Sequence, residues 1–422
     1  MTKARTREQL FTALGVGLFL AGTLAGFLAF QRGGVDFLSF RLMADGVVRG
    51  IDVYDASARE VLCRGYGFVS PVGMFYPPAT GFILAPLALP SYGVAKAIWF
   101  SITIAMILLG VRALVRVTVP EARERLWMGL AGLILMSSSL RWGLMLLQGA
   151  PFMLGLLCFF VASLHTKDSR WPVVIAVVAT AFKMTLALPF LGLLLLRRRF
   201  VGLALCIGVS VLLNTVGFLR MGATAFGNYQ HDVASLDALG ENINTPDPWM
   251  AFALPRLDWV FLLYGFTKSL AVARIVTLLC SAGVAVWLLR EGLRSRAPES
   301  LAASAVFLAP LVCLGSLCVY HHQYDVCLFF VPVLVGYYAL DRRRQPGWAV
   351  LFVLPLLAMM SALPIGRAER VIEPLFGALG IALLKIAFPV ALTLALVGSL
   401  GILRRHTARR ATDPAGAQVS PS

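Results

Sequence analysis

The chain has 422 residues, 59% hydrophobic and only 14% charged, with a mean hydropathy of +0.81. Soluble domains are about 45–50% apolar and about 25% charged, so a water-soluble fold of this length is excluded and lipid is the expected solvent. A net charge of +16 would suggest nucleic acid in a soluble protein. Here the basic residues sit in short clusters between apolar stretches, as the positive-inside rule places them, so nucleic acid is excluded and the lipid bilayer is the partner.

Lys3, Arg5 and Arg7 precede an apolar run from Leu10 to Phe30. At about 20 residues the run is too long for a signal-peptide core and right for a first span that stays in the membrane. Further candidate spans follow at 92–115, 126–146, 150–165, 172–183, 185–196, 201–219, 266–290, 301–318, 325–340, 348–364 and 378–403. They predict an all-α integral membrane bundle of about 10–12 transmembrane segments, with interfacial helices in the first outer loop. Residues 1–403 read as one membrane domain and 404–422 as a basic, disordered cytoplasmic tail.

Basic clusters occupy alternate connections: Lys3/Arg5/Arg7, Arg112/Arg116/Arg123/Arg125, Lys167/Arg170, Arg197–Arg199, Arg290/Arg294/Arg296, Arg342–Arg344 and Arg404/Arg405/Arg409/Arg410. Placing all of them in the cytoplasm puts both termini inside, in a multi-pass plasma-membrane protein. Residues 172–196 then need a special account, because basic clusters flank both ends. One crossing would send Arg197–Arg199 outside, while two segments of about 18 Å each are too short to cross a ~30 Å core. The sequence therefore predicts a broken, re-entrant hairpin at Lys183, which is tolerated where it lines a protein cavity.

The opposite connections, 31–91, 141–150, 220–265, 319–325 and 365–377, are polar, aromatic and Pro-rich. After Asp36, the residues Phe37, Phe40, Ala44 and Val47 recur at helical spacing and predict an amphipathic helix over 37–48. Asp36 is then either its N-cap or a carboxylate general base held at the membrane surface, and the two roles can coexist. Asp52 and Asp55 lie in a turn, where Asp commonly bonds its own backbone. Tyr76-Pro77-Pro78 is a stiff loop exit that can open a helix. Lys183 inside an apolar run either snorkels or faces a wet cavity or a partner, and Arg141 can equally snorkel from its helix end. Tyr320-His321-His322-Gln323-Tyr324-Asp325 offers cation-capable imidazoles suited to a phosphate or to proton transfer. Adjacent histidines rarely chelate one ion together and no Cys or Glu cluster accompanies them, so no metal is expected. The seven cysteines read as small buried hydrophobes.

In order and spacing these segments resemble the C-superfamily membrane glycosyltransferases. The resemblance is greatest to glycosyltransferase family 87, with its PimE-like, polyprenyl-phosphate-mannose-dependent α-mannosyltransferases. It runs over roughly residues 10–340 and rests on the Asp36 segment, Gly50-Ile51-Asp52-Val53-Tyr54-Asp55, Tyr76-Pro77-Pro78 and the His-His-x-Tyr-Asp turn. The chain departs from the family where Gly-Gln-x-Asn is replaced by Leu147-Gln148-Gly149-Ala150, and where Lys-Pro is replaced by Lys183-Met184. The resemblance implies transfer of mannose, or another hexose or pentose, from a polyprenyl-phosphate donor to a lipid or glycan acceptor on the outer membrane face, with inversion and without a cofactor. Asp36 is the implied catalytic base, and His322, His321 and Lys183 the implied ligands of the donor phosphate. Tyr54, Tyr76, Gln148, Arg141 and Asp325 are candidate substrate contacts on the same face. A secondary transporter or flippase would usually show two similar halves, which are not found. An O-antigen polymerase or ligase would be expected to carry its arginines in large outer loops. Both remain as alternatives.

Overall fold

The computed structural model describes residues 2–412 apart from positions 33, 35, 71–72, 119–122, 167–168, 236–244, 251–255, 295–300, 320 and 340–364. The candidate span 348–364, Tyr320 and the Arg342–Arg344 cluster therefore lie outside the described residues. Helix dominates the rest, and the only extended pairing among the described residues is one isolated antiparallel bridge between Arg256 and His322.

The chain runs through α1 (Thr2–Arg32), α2 (Phe37–Arg49), α3 (Ala56–Gly65), α4 (Pro78–Leu84) and α5 (Tyr92–Thr118). Next come α6 (Arg123–Met136), α7 (Ser138–Leu146), α8 (Gly149–Leu164), α9 (Trp171–Phe182), α10 (Leu188–Leu196), α11 (Phe200–Met221) and α12 (Ala225–Ser235). The series closes with α13 (Trp259–Thr267), α14 (Leu270–Arg294), α15 (Leu301–Cys318), α16 (Phe330–Ala339) and α17 (Ile365–Thr412). The last helix thus carries through Arg404 and Arg405. Among the described residues, four helices are long and apolar enough to cross a membrane: α5, α11, α14 and the Ile372–Ala408 part of α17. A fifth crossing results if α6 and α7, bent by 68°, count as one span. Other apolar helices are shorter, such as the 16-residue α8, which at 1.5 Å per residue falls short of a ~30 Å core. Large apolar side chains stand exposed along the long helices, including Leu20, Val211, Leu278 and Leu383, as lipid-facing surfaces require.

Close helix contacts need small residues, because lipid removes the hydrophobic drive and leaves packing to hold helices together. A Cβ on Gly110 of α5 would lie 2.6 Å from the Gly155 carbonyl of α8, so the two backbones touch at that crossing.

Residues 170–197 form the hairpin anticipated from the charges. Helix α9 ends at Phe182, Lys183 leaves helical geometry (φ −147, ψ 84), and a 3-10 turn over Met184–Leu186 leads into α10. At the other end the two arms are tied together. Arg199 donates to the Ser169 carbonyl at 3.5 Å, and Arg197 to the Leu164 carbonyl at 2.7 Å. Both ends of the segment therefore lie at one end of the molecule and Lys183 at the tip.

The two longest polar connections also meet. Arg59 of α3 pairs with Asp232 of α12 at 3.0 Å, and Asp52 accepts from Asn228 at 2.9 Å. Helix α2 is the amphipathic helix expected over 37–48, and one face of it was expected to meet the membrane interface. It is instead enclosed on almost every side, with Phe37 through Val47 buried except Ser39. The reason is Arg41, which pairs with Asp45 and donates to the carbonyls of Leu87, Ala88 and Pro90, binding the turn after α4 across the helix.

Candidate active site

Asp36 sits between α1 and α2, at the N-cap position of α2, yet its carboxylate makes no capping bond. The cap reading is thereby corrected. Gly34 sets the approach of this segment: its φ of +110 suits glycine, and its carbonyl accepts the Phe37 amide at 3.1 Å. The Asp36 amide donates away from α2, to the Leu146 carbonyl at the end of α7. Its side chain is thus carried to the α7–α8 junction, where Gln148 Nε2 donates to Oδ2. Gln148 is the N-cap residue of α8, but its side chain makes no capping bond and is free to turn into the site.

The Gln148 carbonyl oxygen accepts from the Tyr76 hydroxyl at 3.0 Å. The phenol is held by the Pro77–Pro78 entry to α4 below it and by its own backbone, whose carbonyl accepts the Tyr54 hydroxyl at 2.7 Å. The Tyr54 hydroxyl thus holds the Tyr76 backbone. Beneath these groups lies an aromatic layer. Phe40 stacks on Tyr76 at 5.0 Å, on Trp99 at 5.5 Å and on Phe182 at 5.7 Å, and Phe152 closes on Trp99 and Phe182. Such a floor keeps water from the buried side of the carboxylate and strengthens its electrostatic interactions. Burial accordingly raises the Asp36 carboxyl above the usual aspartate range, against the opposing pulls of the Gln148 hydrogen bond and the Lys183 charge. Burial also pushes the Tyr76 phenol well up, and the charges of Asp36 and Asp325 add to this.

Lys183 reaches the site from the hairpin tip. Its ammonium pairs with Asp325 Oδ1 at 3.0 Å and lies 5.7 Å from the centre of the Tyr324 ring. Asp325 Oδ2 meets His321 Nδ1 at 3.0 Å and the His322 amide at 3.2 Å. The other nitrogen of His321 faces the Thr185 carbonyl at 3.3 Å. Both ring nitrogens of His321 are thus engaged, and the residue is 1% exposed between Asp325 and the hairpin tip. The His322 ring lies beside Tyr324, 5.4 Å between centroids. Arg141, in the first turn of α7, is exposed, and no contact joins it to these groups.

Sequence reasoning singled out neither Arg256 nor Asp258. Their buried bidentate pair (2.8 and 3.0 Å) backs the histidine turn, because Leu257 donates to the His321 carbonyl at 2.9 Å and Arg256 bridges His322. Asp258 also caps α13 by accepting from the Phe261 amide at 3.1 Å. That much was readable, since an aspartate directly before an apolar run is a helix-start signal. The i, i+2 spacing of the pair matches no helix face and gave no further cue.

The class follows from these features: a helical, multi-pass membrane protein whose helix ends gather a carboxylate, an amide, a phenol and an ammonium above an aromatic floor. The family follows from comparison. The model of glycosyltransferase family 87 matches residues 75–316, more than half of the chain, and the chain belongs to that family; its activity is glycosyl transfer. No curated protein and no solved structure matches it. The matched segment contains Tyr76, Arg141, Gln148 and Lys183, whereas Asp36, Tyr54, His321, His322 and Asp325 fall outside it.

Proposed function

We propose that the protein transfers a sugar, mannose or another hexose or pentose, from a polyprenyl-phosphate donor to a hydroxyl of a lipid or glycan acceptor, by inverting displacement at the outer face of the plasma membrane. One observation carries this reading: a partly exposed carboxylate, Asp36, stands in the electrostatic range of an ammonium at a hairpin tip, Lys183. A displacement of this type needs that pairing of base and cation.

The acceptor oxygen forms a bond to the anomeric carbon while the bond from that carbon to the phosphate oxygen breaks. The acceptor proton passes to Asp36, whose raised affinity for protons makes it a better base, and the electron pair leaves with the lipid phosphate. Lys183 and His322 stabilise the charge developing there. Asp325 and His321 position them. The polyprenyl chain stays in the bilayer, so the sugar is presented at the membrane surface without leaving it.

The test is turnover of polyprenyl-phosphate mannose with membrane lipid extract as acceptor, followed by thin-layer analysis. Asp36→Asn keeps the size of the side chain but cannot take a proton, and should lose about 10²–10⁴-fold in turnover. Near-wild-type turnover by Asp36→Asn would sink the assignment. Orientation is tested separately, by placing a single cysteine at the exposed Ser57 in a cysteine-free background. An impermeant maleimide should label it in intact cells, and protection would reverse the proposed topology.

A further inference from the structure

The hydrogen bonds of Tyr76 and Gln148 beside Asp36 have a direction. An ionised carboxylate only accepts hydrogen bonds, whereas a carboxamide has a donating and an accepting end. Gln148 presents Nε2 to Asp36 Oδ2 and Oε1 to the Tyr76 hydroxyl at 3.0 Å. Rotating the amide by half a turn would set its oxygen against the carboxylate and its NH₂ against the phenol. The carboxylate, which only accepts, therefore fixes which end of the amide meets Asp36, and the phenol hydrogen, donated to Oε1, holds the other end of the amide in place. Gln148 is 6% exposed, so water has little access to replace either bond.

From this geometry we infer that Tyr76 and Gln148 form a positioning relay for Asp36, in which the phenol anchors the amide at Oε1 while its NH₂ donates to Oδ2. The inference rests on the proposed reading of Asp36 as the base and deepens it. Oδ1 accepts no hydrogen bond from the described residues and is the oxygen left for the acceptor hydroxyl. The relay accounts for a buried glutamine at a helix start that does not cap its helix. It also accounts for a tyrosine whose backbone is itself pinned by Tyr54. Tyr76 and Gln148 thus contribute to the reaction through Asp36 rather than by holding the sugar.

Among the described residues, the charged and titratable groups around Asp36 are few. Lys183 faces it from the hairpin, with Asp325 behind that lysine, and Tyr76 faces it through Gln148. Lys96 of α5 stands over the Phe30 ring, 5.0 Å from its centroid, next to Gly34. Neither Tyr76→Phe nor Gln148→Ala removes a formal charge, so a change in the titration of Asp36 in these variants reports the hydrogen bond.

The experiment is an infrared titration of the full-length protein in detergent, following the carbonyl stretch of the protonated Asp36 carboxyl, identified by its loss in Asp36→Asn. In Gln148→Ala the midpoint should move to higher pH, because a donor to the ionised form has been lost. In Tyr76→Phe, which keeps the ring on Phe40, it should move in the same direction by a smaller amount. Turnover with polyprenyl-phosphate mannose should fall about tenfold or more in both variants, through kcat with KM for donor unchanged. An unmoved midpoint in Tyr76→Phe would overturn the relay even if turnover fell, since a merely structural tyrosine leaves the titration alone. Full activity of Asp36→Asn would instead remove the base assignment, whatever the midpoints do, so the two failures are distinguishable.

Discussion

The Lys183–Asp325 pair decides whether the hairpin tip is anchored to the histidine turn, and its contribution can be worked from the structure. The two side chains are 12% and 2% exposed and 3.0 Å apart. Removing one partner of a buried pair typically costs about 3–5 kcal/mol, because the other charge is stranded. In Lys183→Met the stranded group is Asp325, which keeps two donors, His321 Nδ1 at 3.0 Å and the His322 amide at 3.2 Å. Those bonds and the small exposure of Lys183 reduce the expected cost to about 2–3 kcal/mol. Asp325→Asn retains size and an acceptor, and should cost about 1.5–3 kcal/mol through loss of the charged bonds. Because both single variants break the same contact, the double variant should be no worse than the poorer single one. The coupling energy should then be at least about 1.5 kcal/mol. Equilibrium unfolding by sodium dodecyl sulfate in mixed micelles measures all four proteins of the cycle. A coupling below about 0.5 kcal/mol, the range of a solvent-screened surface pair, would refute the claim that this ion pair anchors the hairpin.

Two further outcomes follow from the same region. Burial raises the Asp36 carboxyl, so folding favours its protonated form. The associated stability is fully present below the ordinary value near 3.8 and is lost as pH rises through the raised value. Asp36→Asn should therefore be at least as stable as the parent at pH 7, with its advantage shrinking as pH falls through that window; a variant less stable at pH 7 and unaffected by acid would contradict the burial account. Gly34→Ala forces a φ of +110 on a residue with a Cβ, at a cost of order 1–3 kcal/mol, and should displace Asp36 enough to lower turnover at least tenfold. The added methyl also meets Lys96 Cε at 2.6 Å, but that is the end of a flexible side chain. Restoration of activity by Lys96→Ala in the Gly34→Ala background would show that the clash, and not the backbone, is responsible.

Asp52 and Asp55 show what local sequence can establish. Both were expected to serve their own turn. Asp52 accepts the Tyr54 amide at 3.0 Å, and Asp55 caps α3 through the Ala58 amide at 2.8 Å. Neither assignment needs information from beyond a few residues. Asp36 looked similar on the page, since it also precedes a helix. What separates it is that its carboxylate makes no capping bond in its own turn and meets Gln148, 112 positions away in the chain, and no local pattern encodes that partner.

The sequence by itself determined the solvent, the helical class and the break at Lys183. Hydropathy, charge clustering and the minimum length of a crossing helix act over stretches of some twenty residues, and they leave a local mark. It also drew attention to the polar side chains of the outer connections, because polar groups are scarce in such a chain. Only the tertiary structure decided their partners. It turned Asp36 from a cap toward Gln148, enclosed His321 between Asp325 and Thr185, committed the Tyr54 hydroxyl to Tyr76, and left Arg141 outside. The physical reason is that each of these groups sits at a helix end. Where a helix end points, and which distant end it meets, is set by the packing of whole helices against one another, to which no short stretch of sequence is sensitive.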